Sequence, residues 1–173
     1  MIILEDTRQQ IGKHKLKHEY FEQHGIVVKR TKLWVGDYTL PTDQSVCIDT
    51  KFSLQELISD ICSKHHETFK RELLRAKESG IKLIILVEHG EDIKTMEDVY
   101  FYQNPRKHEI RWRTVNGKRV KDVISAKAVD GNQLYKSLCT IRDRYNVDFV
   151  FCQKEETGKK IIEILGGRKY ENH

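Results

Sequence analysis

Val35-Gly36-Asp37-Tyr38-Thr39-Leu40, a turn at Pro41-Thr42-Asp43-Gln44, and Val46-Cys47-Ile48-Asp49-Thr50-Lys51 form the stretch whose reading decides the fold. Two runs rich in β-branched and aromatic residues on either side of a proline turn predict adjacent strands. Side chains alternate between the faces of a strand, so Asp49 and Lys51 share one face. The stretch therefore sets two carboxylates and an ammonium at the ends of neighbouring strands. Mg2+ prefers oxygen donors and keeps several waters, so one or two carboxylates plus a substrate phosphate suffice to hold it. The cation in turn removes the repulsion between the acids. Lys51 would position an attacking water and offset the charge that grows at phosphorus. Taken alone, acid-x-Lys on a strand equally describes a surface ion pair.

Working outward, Ile2 to Leu4 reads as a strand, Lys15 to His24 as a helix closed by Gly25, and Ile26 to Leu33 and Val35 to Leu40 as two further strands. Ser53-Leu54-Gln55-Glu56 has capping-box spacing ahead of the apolar stripe Leu54, Leu57, Ile58 and Ile61. A third helix covers His66 to Lys77. The unbroken apolar run Lys82 to Glu88 predicts a central strand covered on both faces. Asn132 to Tyr145, Asp148 to Cys152 and Glu155 to Leu165 follow as helix, strand and helix. The prediction is an α/β fold with a mixed central sheet flanked by helices, organised as one domain over 1–173.

Residues 89–128 interrupt that rhythm. Ile110 to Thr114 and Arg119 to Val123 flank Asn116-Gly117, a pair that favours a tight hairpin turn. Gln103 to Lys121 carries a net charge of +6, against −1 for the rest of the chain. A basic β-hairpin insertion of this kind is the expected footprint of a phosphate-backbone partner, although a solvated charged loop has the same composition. Trp112 alternates with Arg111 and Arg113, which predicts one apolar and one cationic face. Tyr100, Phe101 and Tyr102 either stack on bases or pack the insertion onto the body.

The 173 residues, 38% apolar and 33% charged, exclude a disordered or fibrous chain. No apolar run approaches the roughly 20 residues of a membrane helix, and the N-terminus has no signal-peptide pattern, so a cytoplasmic protein without a membrane partner is expected. Cys47, Cys62, Cys139 and Cys152 form no CxxC pair and read as reduced core residues.

Leu4-Glu5-Asp6-Thr7-Arg8, Val35 to Leu40 and Cys47-Ile48-Asp49-Thr50-Lys51, in this order and spacing, resemble the nuclease domain of the XPF family, within the PD-(D/E)xK nucleases. The likeness continues through Leu57 to Ile61, the basic helix with Lys70, the run ending at Glu88, and Glu155-Glu156-Thr157-Gly158-Lys159. It implies a restriction-endonuclease-like fold and metal-dependent cleavage of the DNA backbone at branched or flap-like structures, in repair or recombination. Asp37 and Asp49 resemble the metal ligands and Lys51 the motif lysine. Mg2+ is the implied cofactor, with Mn2+ expected to substitute. Asp6 would add a ligand or orient one, and Arg8 would hold a phosphate, unless the two simply form a structural ion pair. Lys70, Arg106, Arg111, Arg113, Lys118 and Arg119 are the other expected DNA contacts.

Departures from the family pattern are Asp49-Thr50 where Glu-Arg is usual, Gln9 where a second acid is frequent, and Glu56 five rather than four residues after the lysine. The family's paired helix-hairpin-helix module has no room after Leu165, so duplex affinity is expected from the +6 insertion, with a homodimer or a partner protein as a separate open expectation. Glu88 reads as an extra metal neighbour or a strand terminator. His14 and His18 have metal-ligand spacing but no third ligand, and with His65 and His66 they read as solvated. The enzyme reading predicts that Asp49→Asn and Lys51→Ala abolish cleavage at an unchanged melting temperature. Its rivals are a catalytically silent DNA-binding module with the same fold and an interaction protein with a merely structural charged surface.

Overall fold

The computed structural model describes residues 1–10, 12, 15–63, 65–90, 92–123, 125 and 128–166. In chain order the elements are β1 (Ile2–Asp6), α1 (Lys15–Gln23), β2 (Val27–Thr31), β3 (Tyr38–Thr39), β4 (Val46–Lys51), α2 (Leu54–Cys62), α3 (His66–Glu78), β5 (Lys82–Glu88), β6 (Ile110–Val115), β7 (Lys118–Val123), α4 (Gly131–Tyr145), β8 (Asp148–Cys152) and α5 (Thr157–Gly166). Six strands form one mixed sheet in the order β2-β1-β3-β4-β5-β8. β3 runs antiparallel to both β1 and β4, whereas the β1–β2, β4–β5 and β5–β8 pairs are parallel. Parallel neighbours require a crossover, and α1, the α2–α3 pair and α4 supply them.

Because side chains alternate along a strand, each sheet face has its own core. Cys47, Leu83, Ile85 and Val87 face α2, α3 and α4, together with Leu57, Phe69, Leu73 and Leu138. Val46, Ile48, Ile84 and Leu86 face α1 and α5, together with Phe21, Tyr38 and Ile161. β5 lies between two parallel partners and is buried from Leu83 to Glu88, as its continuous apolar run requires.

The predicted strands before the proline turn are shorter than the sequence suggests. β2 ends at Thr31, and Val35 and Gly36 belong to a bend rather than to β3. Gly36 takes φ +70°, and a β-carbon there would lie 2.8 Å from the carbonyl oxygen of Ile48. The bend thus needs a residue without a side chain. Gly36→Ala is expected to combine left-handed strain with a contact against rigid backbone, lowering stability by about 2 kcal/mol or more, read as a fall in melting temperature.

β6 and β7 pair as a separate two-stranded sheet through Asn116 (φ 51°) and Gly117 (φ 76°), the left-handed pair of a tight turn. Its register overturns the expectation of one apolar and one cationic face. Trp112 is opposite Lys121 and Thr114 opposite Arg119, while Arg113 is opposite Val120, so each face mixes the two characters. All residues of both strands except Asp122 are exposed. The cysteines are all free, and Cys62 is exposed at the end of α2 rather than in the core.

Candidate active site

Asp37 is fixed through its backbone before its side chain is considered. Its N–H donates to Ile48 O at 2.7 Å and its carbonyl accepts from Asp6 N at 2.8 Å, so the residue is bracketed between β1 and β4. Its Oδ2 accepts from the backbone N–H and the hydroxyl of Thr50 at 2.8 and 2.7 Å. Thr50, at the position where arginine is usual, therefore ties Asp37 to the strand that carries Asp49 and Lys51.

Asp49 and Lys51 project from β4 toward the α2–α3 layer. Lys51 Nζ lies 2.8 Å from Asp49 Oδ2 and 2.9 Å from Asp60 Oδ2 on α2, and 5.2 Å from the centre of the Phe69 ring. Asp49 Oδ2 is buried, and the Lys51 ammonium is its close cationic neighbour. Burial raises the Asp49 pKa and the nearby Asp37 and Glu72 carboxylates raise it further, against the opposing pull of Lys51. Burial would lower the Lys51 pKa, but Asp49 and Asp60 outweigh it and hold the amine well above its usual range. Lys51 is therefore an ammonium ion, and its chemistry is that of a fixed cation rather than a base.

Two acids at this site escaped the sequence reading. Asp60 is the second partner of Lys51. Glu72, on α3, accepts from Gly36 N–H at 3.0 Å and so meets the bend that presents Asp37. The detectable signal was an acid beside a buried helical stripe: Glu72 is three residues after buried Phe69 and four before buried Ala76.

Asp6 is fully buried, and both of its oxygens are occupied. Oδ1 accepts from Arg8 N and Nε, and Oδ2 accepts from Arg8 Nη2 at 2.9 Å and Leu33 N–H at 2.8 Å. Burial would raise its pKa, but these donors bring it below the usual range. Of the roles read from the sequence, this geometry supports the clamp on Arg8 and leaves no free oxygen to serve as a metal ligand. Glu88 is the last residue of β5, as the terminator reading has it, and it does not join the carboxylate site. It faces the α1–α5 side, opposite to Asp49, where its Oε1 lies 3.8 Å from Lys17 Nζ and accepts from the Thr157 hydroxyl at 3.0 Å.

Glu56 serves the helix: its Oε2 accepts from Phe52 N–H at 2.7 Å while Ser53 Oγ accepts from Glu56 N–H. Arg106 lines a cavity of about 480 Å3 with Phe52, Asp60 and His65, on the side from which Lys51 is paired. Lys70 is half-buried on α3. Arg111, Arg113, Lys118 and Arg119 belong to the separate hairpin, where Arg113 pairs with Asp122 at 2.7 Å and Arg119 stacks 5.4 Å from the Trp112 ring centre. Tyr102 packs inward, with Gln55 Nε2 donating to its hydroxyl at 2.7 Å, whereas Phe101 is 78% exposed. His18 is bound to buried Glu5, and His14 lies outside the described residues.

Among the described residues no three His, Cys, Asp or Glu side chains stand close enough to form a metal-ligand group. The donor set nevertheless fits a small hard cation, which needs only one or two protein carboxylates beside water and phosphate. The crowding of Asp37 and Glu72 about the buried Asp49 carboxylate is the feature such a cation would relieve.

Among solved structures, the fold is similar to that of XPF from Aeropyrum pernix in complex with DNA, with a TM-score of 0.62 and 15% identity over 97% of this chain and 64% of that one. A second structure of XPF from Aeropyrum pernix has a TM-score of 0.62 and 14% identity over 99% of this chain and 66% of that one. The chain thus spans just under two thirds of the length of these proteins. No curated protein matches it significantly. The family model of the ERCC4 domain matches residues 5–165, nearly the whole chain and every residue of the site above, so the protein belongs to the ERCC4 domain family of the PD-(D/E)xK nuclease superfamily.

Proposed function

We propose that this chain is a metal-dependent DNA endonuclease acting at branched or flap-like structures. The observation that carries the reading is the buried Asp49 carboxylate crowded by Asp37 and Glu72 and set against a lysine held as a cation. Asp37 and Asp49 would hold Mg2+ or Mn2+, which supplies Lewis acidity at the scissile phosphate and a water of lowered pKa. Lys51, kept charged by Asp60, offsets the negative charge that develops on the phosphoryl oxygens. Arg8, whose side chain is 56% exposed, has its Nε and Nη2 on Asp6 and its remaining edge turned to hold a phosphate in a fixed direction.

The β6–β7 hairpin is proposed as the duplex contact. An isolated two-stranded ribbon is marginal in water, and this one exposes Trp112 and Arg119 on one face and Arg111 and Lys118 on the other. Labelled flaps, forks, four-way junctions and plain duplexes incubated with Mg2+ or with chelator test the reading. Mg2+-dependent nicking of the branched substrates over plain duplex is expected. Cleavage of none of them, by protein that binds them, would leave the silent DNA-binding module in its place. Replacing Arg111, Lys118 and Arg119 together by alanine should weaken duplex binding and flatten its dependence on log salt by about 2.7, at about 0.9 per phosphate.

A further inference from the structure

Beside Arg8, along α3, lies a second basic feature. α3 and Arg8, just after β1, line a cavity of about 530 Å3 with Thr68, Arg71, Leu74, Arg75 and Glu78. Three guanidinium groups face one carboxylate there. Arg71 meets only the Glu67 carbonyl and the Thr68 hydroxyl, both at 3.3 Å. Arg75 has a buried Nε with no hydrogen-bond partner. Among the described residues neither arginine is ion-paired, although the chain has acids to spare on the same helix.

At the mouth of this groove stands Trp34. Its side chain is 64% exposed, the Arg75 guanidinium lies 5.6 Å from its ring centre, and its Nε1–H donates to Ser79 Oγ at 3.2 Å. An indole held by its edge and backed by a cation presents a fixed flat face to solvent. Exposing so large an apolar ring has a cost that a ligand able to stack on it would offset. Arg8 joins this groove to the carboxylate site, since its guanidinium lies within the field of both Glu72 and Asp37.

We infer that this groove is a binding site for unpaired, single-stranded DNA leaving the cleavage point, with Arg71 and Arg75 on successive phosphates and Trp34 stacked on a base. Stacking combined with a cationic track is the general chemistry of single-strand recognition, and it reads no sequence because every base has a π-face. The inference deepens the nuclease reading and rests on it for the path of the strand, but the groove is tested by binding alone.

The protein has two tryptophans, so Trp112→Phe leaves Trp34 as the sole indole reporter. In chelator, titration of that variant with oligothymidylate should quench its fluorescence. Arg71→Ala with Arg75→Ala should weaken the affinity about tenfold and flatten the log-salt slope by about 1.4, at about 0.7 per single-strand phosphate. Trp34→Ala in the otherwise native chain should weaken binding, measured by oligonucleotide anisotropy, by about tenfold. The assignment is overturned if oligothymidylate binds without quenching Trp34, if folded variants with either change keep the native affinity, or if inorganic polyphosphate competes as tightly as the oligonucleotide. Absence of cleavage with quenching intact would sink the nuclease reading and leave the groove standing.

Discussion

Asp49→Asn should reduce Mg2+-dependent cleavage by at least about 10²–10³-fold while the protein keeps its fold and its grip on DNA. The asymmetry comes from what surrounds the carboxylate. Burial and the neighbouring acids Asp37 and Glu72 already disfavour its charged form, so neutralising it removes a repulsion rather than a needed partner. Lys51 retains Asp60 at 2.9 Å and stays paired. The melting temperature of Asp49→Asn is therefore expected within about 2 °C of the native value, with DNA affinity measured in chelator unchanged. Retained metal-dependent cleavage by this variant, with contaminating nuclease excluded, would refute the assignment. Lys51→Ala is a different experiment, and the sequence-based expectation of an unchanged melting temperature does not survive the structure. Removing the ammonium leaves buried Asp49 and largely buried Asp60 facing each other without a cation, a loss of about 3–5 kcal/mol by analogy with other broken buried pairs. Lys51→Arg keeps the charge and is the better probe of position.

What the sequence disclosed and what it withheld follow from the range of the interactions involved. β4 is legible to the residue because alternation, a flanking turn and the Ser53 cap are all local. The sharing of one face by Asp49 and Lys51 follows from the same period. β3 is illegible in length, because the bend at Gly36 is imposed by the approach of Ile48 O from the next strand. Asp60 and Glu72 come to the site from helices, and no local pattern states which strand a helix will cover. The hairpin's turn was readable from Asn116-Gly117, but its mixed faces depend on a cross-strand register that places Arg119 opposite Thr114. Between its two readings Glu88 was undecided for the complementary reason: an apolar run buried on both faces carries no amphipathic mark of which way its last residue points.

The stability of this arrangement also hangs on a side chain outside the site, and Glu5→Ala is expected to lower it about as much as Lys51→Ala. Glu5 is 1% exposed, next to the last residue of β1. Its Oε1 accepts from the Tyr38 hydroxyl at 2.8 Å and is hydrogen-bonded to His18 Nε2 at 2.7 Å, and its Oε2 lies 3.2 Å from Arg30 Nε. One carboxylate thus joins β1 to β3, to α1 and to the edge strand β2. Burial and the negative charge of Glu5 together raise the Tyr38 pKa well above its ordinary value, so the phenol stays protonated and remains a donor to that carboxylate. Truncation would leave the buried Tyr38 hydroxyl without an acceptor and Arg30 without its carboxylate. A loss of about 3–5 kcal/mol is expected, which for a domain of this size is a fall of about 10 °C in melting temperature. Tyr38→Phe paired with Glu5→Ala removes the stranded donor along with its acceptor. The double variant should therefore melt less than the sum of the two single losses below the native protein. Strict additivity in that cycle would mean that the Tyr38–Glu5 contact carries no coupling energy. The consequence reaches the site through the backbone, since Asp6 N–H, one residue along β1, is the donor that holds the carbonyl of Asp37. Loosening β1 therefore releases Asp37 from its bracket, and Glu5→Ala should lose cleavage at temperatures where the protein is still folded.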